Sequence, residues 1–188
     1  MQPPELFVFF GLIATGKSTV AQAWADRLGI ACHNSDVVRK ELAGLAPNAP
    51  QREATDQGIY TAAFTAQTYA ALLERAETAL VDGRAVVLDA SYQRRQDRDA
   101  VRSLAQRMGA RVYFILCHCP ENEMRRRMEV RARDPLAVSD GRWEIYLQQK
   151  TRFEPPDELP AGQLVRVATD LPLDRILLSL SSLLEDTP

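Results

Sequence analysis

The chain has 188 residues, 46% of them apolar and 26% charged, enough for one domain with a sizeable buried core and no need of disulfides or metal. Lysine and arginine number 23 against 25 aspartates and glutamates; the net charge of −2 argues against a polyanionic partner such as nucleic acid and against an anionic membrane surface. Three cysteines without the spacing of a secreted framework point to a reducing, cytoplasmic compartment, and no apolar run approaches the roughly 20 residues of a membrane helix.

Short apolar runs alternate with helix-length segments, the pattern of βαβ crossovers and a parallel sheet, so the predicted class is α/β. The first run, Leu6 to Phe10, follows Glu5 instead of a basic flank and is predicted as a buried strand, not a signal peptide. A helix is predicted over Lys17 to Leu28, with Val20, Trp24 and Leu28 on one face and Gly29 as its stop. A strand over Ile30 to Asn34 and a short helix over Asp36 to Ala43 follow, then a turn segment from Gly44 to Pro50. A long helix is predicted from about Thr55 to Val81, with Ile59, Ala63, Ala66, Ala70 and Leu73 as the stripe against the sheet. Asp82-Gly83 ends it before a strand over Ala85 to Leu88. Helices over Arg95 to Met108 and Glu121 to Arg131 flank a strand over Val112 to Cys117; Gly109 closes the first and Pro120 opens the second. Arg133 to Gly141 carries Pro, Ser, Asp and Gly and is predicted as a mobile loop. A helix over Arg142 to Lys150, a rigid Glu154-Pro155-Pro156 segment, a strand over Leu164 to Val167 and a helix over Leu173 to Leu184 complete a single predicted domain, residues 1–188.

Gly11-Leu12-Ile13-Ala14-Thr15-Gly16-Lys17-Ser18 fits G-x-x-x-x-G-K-[ST] between a strand and a helix, the context that motif requires. The glycines let backbone N–H groups turn inward around phosphates, and the helix N-terminus adds partial positive charge. Lys17 is expected to reach the β- and γ-phosphates, Ser18 to ligate Mg²⁺ and Thr19 to touch the α-phosphate. No N/T-K-x-D base-reading motif occurs late in the chain, which favours ATP over a guanine nucleotide.

Ser35-Asp36-Val37-Val38-Arg39 places a carboxylate and a guanidinium at i and i+3 after the second strand. Asp36 is the expected base for an acceptor hydroxyl; the competing reading is a helix cap by Ser35 or Asp36. Val86-Val87-Leu88-Asp89 ends an apolar strand in an acid, the form of a metal-side aspartate, or else of a turn cap. Arg94 and Arg98 are candidates to share a face and bind an anionic part of the acceptor, against a simple solvated face. Arg125, Arg126, Arg127, Arg131 and Arg133 precede the predicted loop; Arg127 and Arg131, at i and i+4, are expected to close over the transferring phosphoryl group in a lid at about 131–141, against an ordinary arginine-rich surface. Cys117-His118-Cys119 could complete a four-coordinate zinc site only with Cys32 and His33 from another strand, so the ordinary reading, buried small thiols in a central strand, is preferred. Trp24 is predicted to be core, and Trp143 to pack the following helix or stack on a ligand.

In this order, the P-loop, Ser35 to Arg39, Val86 to Asp89 and the arginine helix resemble one branch of P-loop kinases. That branch includes polynucleotide 5′-hydroxyl kinases, gluconate kinases, chloramphenicol phosphotransferases and zeta toxins. Ser35 to Lys40 and Phe153 to Pro156 are most similar to the ATP-binding domain often fused to aminoglycoside-phosphotransferase-like domains. The resemblance implies a three-layer fold with a five-stranded parallel sheet in order 2-3-1-4-5, helices on both faces and a lid after Arg131. It also implies a cradle that includes Ala14 and Thr15, an adenine pocket near Thr169 and Asp170, and Asp36 and Arg39 on the acceptor side. The implied activity is transfer of the γ-phosphate of Mg-ATP to a hydroxyl of a small-molecule acceptor, by a monomer or homodimer. A nucleotide-binding regulatory or zeta-toxin-like module stays open beside it. So does a polynucleotide 5′-hydroxyl kinase, although no fused partner domain and no strongly basic channel are expected.

Overall fold

Parallel strands covered on both faces become continuous apolar runs, and the first such run is the middle of the sheet. The structure, a computed structural model, describes residues 3–46, 58–132 and 143–185. Its strands are β1 (Glu5–Phe10), β2 (Ala31–Asn34), β3 (Val86–Asp89), β4 (Arg111–His118) and β5 (Leu164–Ala168), all paired in parallel in the order β2-β3-β1-β4-β5. The helices are α1 (Lys17–Leu28), α2 (Ser35–Leu42), α3 (Ala62–Val81), α4 (Arg95–Met108), α5 (Glu121–Ala132), α6 (Trp143–Arg152) and α7 (Leu173–Glu185). This is the three-layer α/β P-loop fold, with the expected strand order. Among the described residues no helix is long and apolar enough to cross a membrane.

The two-residue period of β1 divides the core. Leu6, Val8 and Phe10 join Val38, Leu72, Val101 and Leu104 from α2, α3 and α4 on one face. Phe7 and Phe9 join Val20 and Trp24 from α1 and Ile176 and Leu180 from α7 on the other. Phe7 stacks on Tyr113 with ring centroids 5.5 Å apart and meets Trp24 edge-on at 5.8 Å.

Two predicted helix faces are corrected. In α1 the buried residues are Val20, Ala21, Trp24 and Ala25, while Leu28 at the last turn is exposed. The long helix begins at Ala62, not near Thr55: Thr61 accepts a hydrogen bond from the Phe64 N–H as its cap, and Gly58–Tyr60 before it form a 3₁₀ turn. Residues 55–57 lie outside the described part. The buried stripe of α3 is Thr68, Leu72, Ala76, Ala79 and Leu80, and Ala63, Ala66 and Ala70 face solvent. Alanine contributes little area, so Leu72 and Leu80 set which way the helix rolls.

Arg98 on α4 fastens the stretch after α6. Its side chain is 0% exposed and pairs with Glu158 through Nε to Oε1 at 2.6 Å and Nη2 to Oε2 at 3.1 Å. It also donates to the carbonyls of Tyr92, Gln93 and Pro155. Burial alone would push the Glu158 carboxyl up, but the hydrogen bonds and charge of Arg98 bring it below its ordinary value. The pair's stabilisation is therefore present above the ordinary glutamate range and lost as pH falls through the lowered folded value. Arg98→Ala would leave a buried carboxylate unpaired and is expected to cost roughly 3–5 kcal/mol in denaturant unfolding, whereas Arg98→Met with Glu158→Leu should cost much less.

Candidate active site

The five strands run parallel, so their carboxyl ends share one edge of the sheet, where ligands bind in such folds. The loop from Gly11 to Gly16 wraps that edge. Gly11 has φ 139° and a Cβ there would lie 2.5 Å from the Cys117 carbonyl oxygen; Gly16 has φ 83° and its Cβ would meet Arg127 Nη1 at 2.8 Å. Ala14 holds φ 61° without being glycine, its methyl buried against Met124, Met128 and Tyr146. The first turn of α1 has neither a side-chain cap nor an acidic residue, so its N–H groups stay open to an anion. Lys17 is half-buried at this turn, and Ser18 and Thr19 are exposed.

Asn34 organises the side of the loop at Ser18 and Asp89. Register places it opposite Asp89, with Phe9 across β3 from the same aspartate. Its Oδ1 accepts the Asp36 and Val37 N–H groups at 2.9 and 3.2 Å and so caps α2. Its Nδ2 donates to Asp89 Oδ2 at 2.5 Å and reaches Ser18 Oγ at 3.5 Å. The cap is thus neither Ser35 nor Asp36. Asp36 stands exposed in the first turn of α2, near enough for its charge to raise the Asp89 pKa. Asn34 was not among the candidate residues; the available signal was an N-cap residue type at a strand-to-helix junction, which Ser35 and Asp36 obscured.

Asp89 is 1% exposed and its Oδ1 has no hydrogen-bond partner. An orphaned carboxylate oxygen beside Ser18 and Lys17 fits a bound Mg²⁺ or its water, so the residues present suit the Mg-nucleotide that the loop implies. Burial raises the Asp89 pKa against the pull of Lys17 and of hydrogen bonds from Ser18 and Asn34. The folded chain therefore keeps this proton to higher pH than the unfolded one, and stability falls as pH rises from the ordinary aspartate range through the raised value. Asp89→Asn is expected to raise the melting temperature by a few degrees. The same variant should weaken Mg²⁺-dependent nucleotide binding roughly 10- to 100-fold in a titration.

On the opposite side, Arg127 and Thr169 join the strand ends to the loop. Arg127 Nη2 donates to the Thr169 carbonyl at 2.6 Å, and Nη1 lies 3.4 Å from both the Ala14 carbonyl and Thr169 Oγ1. Thr169 Oγ1 in turn donates to the Thr15 carbonyl. Glu123, one turn before Arg127, is held at a pKa of about 2 by hydrogen bonds from Arg126 and Arg127, so these two adjacent guanidinium groups share a carboxylate within the helix. Asp170 follows Thr169 and is exposed. The side chain of Arg131 and the predicted lid at 133–141 lie outside the described residues. Trp143 packs its ring under Arg125 Cζ at 3.9 Å and beside Tyr146 at 4.6 Å.

The remaining arginines part company. Arg94 is exposed just before α4, but Arg98 is the buried partner of Glu158, so the two do not share an acceptor-facing surface, and Arg98 is withdrawn from the site. Arg39 is 7% exposed, donates to the Ile59 carbonyl and Thr65 Oγ1 and lies 5.1 Å from the Tyr60 ring centroid; its Nε has no partner among the described residues. Tyr69 extends this wall, its hydroxyl 3.1 Å from both Ser91 Oγ and the Tyr92 N–H. The Ser91 carbonyl accepts the Gly11 N–H, which connects the wall to the loop.

A family model described as an AAA domain matches residues 6–156. Over 118 residues the chain is 29% identical to Rv2004c, an uncharacterised protein of Mycobacterium tuberculosis; the match covers 63% of this chain and 24% of that protein. The chain thus spans about a quarter of the length of the curated relatives it matches. Its fold is similar to a gluconokinase from Sinorhizobium meliloti 1021, with TM-score 0.66, 23% identity and coverage of 97% and 92% of the two chains. It is also similar to the APS kinase CysC of M. tuberculosis in complex with AMPPNP and APS, with TM-score 0.69, 21% identity and coverage of 99% and 100%.

Proposed function

Because the chain belongs to the AAA domain family, we propose that it is a kinase that moves the γ-phosphoryl group of Mg-ATP to a hydroxyl of a small-molecule acceptor. The observation that carries this reading is the Asn34 hub. One side chain caps α2, holds Asp89 and reaches Ser18, which leaves Asp36 exposed and free of the cap, with its charge acting on Asp89. The small-molecule kinases among the similar folds support the same reading by analogy.

The residues then divide the work. Loop N–H groups and Lys17 bind and align the phosphates, and Thr15, Thr169 and Asp170 border the nucleoside side. Ser18 and Asp89 would hold Mg²⁺, which when bound supplies positive charge against the negative charge of the phosphates. Asp36 accepts the proton of the acceptor hydroxyl and aims its oxygen, in a reaction where positioning dominates. Arg39 is assigned to the acceptor side, where its Nη1 holds Ile59 and Thr65 and its Nε–H has no partner among the described residues. Arg94 is assigned to the acceptor as a cation, Arg127 stands beside the loop at Ala14 and Gly16, and Arg131 is assigned with it to the transferring phosphoryl group.

The test is ATP consumption by purified protein against a library of sugars, sugar acids, nucleosides and 5′-hydroxyl oligonucleotides. Turnover that depends on one small acceptor supports the proposal. Turnover only with oligonucleotides would move the chain to polynucleotide kinase chemistry, and nucleotide binding without any acceptor-dependent turnover would make it a binding module.

A further inference from the structure

Gln149 on α6 accepts the Ile13 backbone N–H through Oε1 at 2.7 Å, a contact that bridges 136 residues. Ile13 belongs to the phosphate loop, whose N–H groups otherwise turn toward phosphate oxygens. A backbone N–H only donates, so this bond fixes the orientation of the Gln149 amide. Its oxygen faces the loop, and Nε2, with two N–H donors, has no hydrogen-bond partner among the described residues.

The helix that carries Gln149 is held in place on both sides of it. Tyr146, 2% exposed, donates to Glu121 Oε2 at 3.0 Å, and Lys150 donates to the same oxygen at 3.0 Å. Tyr146 packs with Ala14, Cys119, Met124 and Met128 in a cluster that also takes in Leu12 and Ile13. A packed platform therefore presents this amide, at low further cost in side-chain entropy.

Two sides of the loop already have partners: Thr169 and Arg127 at Gly16, and Asn34 and Asp89 at Ser18. The first half of the loop, Leu12 to Ala14, faces α6. In such a loop the backbone N–H groups cradle the α- and β-phosphates and the lysine reaches on to the γ-phosphate, which leaves the Leu12 to Ala14 half beside α6 as the side without an assigned partner. We propose that Gln149 reads this terminal phosphoryl group: Oε1 stays on the Ile13 N–H while Nε2 donates to a γ-phosphoryl oxygen, so that the chain separates nucleoside triphosphate from diphosphate. The proposal rests on the nucleotide reading above but not on the acceptor.

Calorimetric titration of wild type, Gln149→Glu and Gln149→Met with Mg-ADP and with the Mg complex of the imido analogue of ATP tests it. Gln149→Glu keeps an acceptor for Ile13 but turns the donor end into a negative charge. It should weaken the triphosphate analogue by roughly 10- to 100-fold and ADP by no more than a few-fold. Gln149→Met, near in size and without charge, should lose the same preference more weakly. Equal losses for both nucleotides would make Gln149 a structural support of the loop, and unchanged affinities would remove its role altogether; either overturns the inference while the kinase reading stands. Wild type that binds neither nucleotide would overturn both.

Discussion

Asp36→Asn is expected to lower acceptor-dependent phosphoryl transfer by about 10²-fold or more, the loss typical of a positioned general base, with nucleotide affinity unchanged within a few-fold. The structure makes this variant informative. Asn34, not Asp36, accepts the first N–H groups of α2, and Asp36 is exposed, so an isosteric amide removes charge and basicity without touching the cap. The melting temperature should hold or rise slightly, because removal of the Asp36 charge relieves the ionised Asp89. Transfer and calorimetric ATP binding on one preparation decide the matter. A retained rate per folded molecule would shift the base to another group, and a collapse of nucleotide or Mg²⁺ binding would place Asp36 on the metal side.

Lys17→Ala is expected to reduce nucleotide affinity by roughly 10- to 100-fold, the worth of charge-assisted hydrogen bonds to phosphate. Turnover should fall further, by about 10²- to 10³-fold at saturating nucleotide, because charge on the transferring group is stabilised by the same ammonium. The fold should survive, since Lys17 is half-buried at the open first turn of α1 and belongs to none of the three core clusters. One secondary effect has a definite direction. Lys17 pulls the Asp89 pKa down against burial, so its loss should raise that pKa further and shift the metal dependence of any residual binding to higher pH. Unchanged affinity in a folded variant would refute the phosphate cradle.

Local signals were legible in the sequence wherever one segment carries its own cause. The G-x-x-x-x-G-K-S pattern between an apolar run and a helix marks a loop whose glycines hold positive φ. Burial on both faces of β1 shows in five successive apolar residues, Leu6 to Phe10, and Gly29 and Gly109 stop their helices where expected, both at positive φ. The strand order 2-3-1-4-5 came from resemblance to kinases, since no property of single segments orders strands. What only the tertiary structure decided depends on partners far away in the chain. Which face of α3 is buried was set by Leu72 and Leu80 against the sheet, not by the alanine spacing that suggested Ala63, Ala66 and Ala70. Arg98 resembles its neighbours Arg94 and Arg95 in sequence, yet Glu158, 60 residues on, draws it into the interior. Asn34 became the centre of the site because β2 pairs with β3 and brings it opposite Asp89, and Gln149 reaches Ile13 only because α6 is clamped to α5. A charged or polar side chain takes its role from the counter-group that folding delivers, and a pattern of spacing within one helix or strand holds no record of that group.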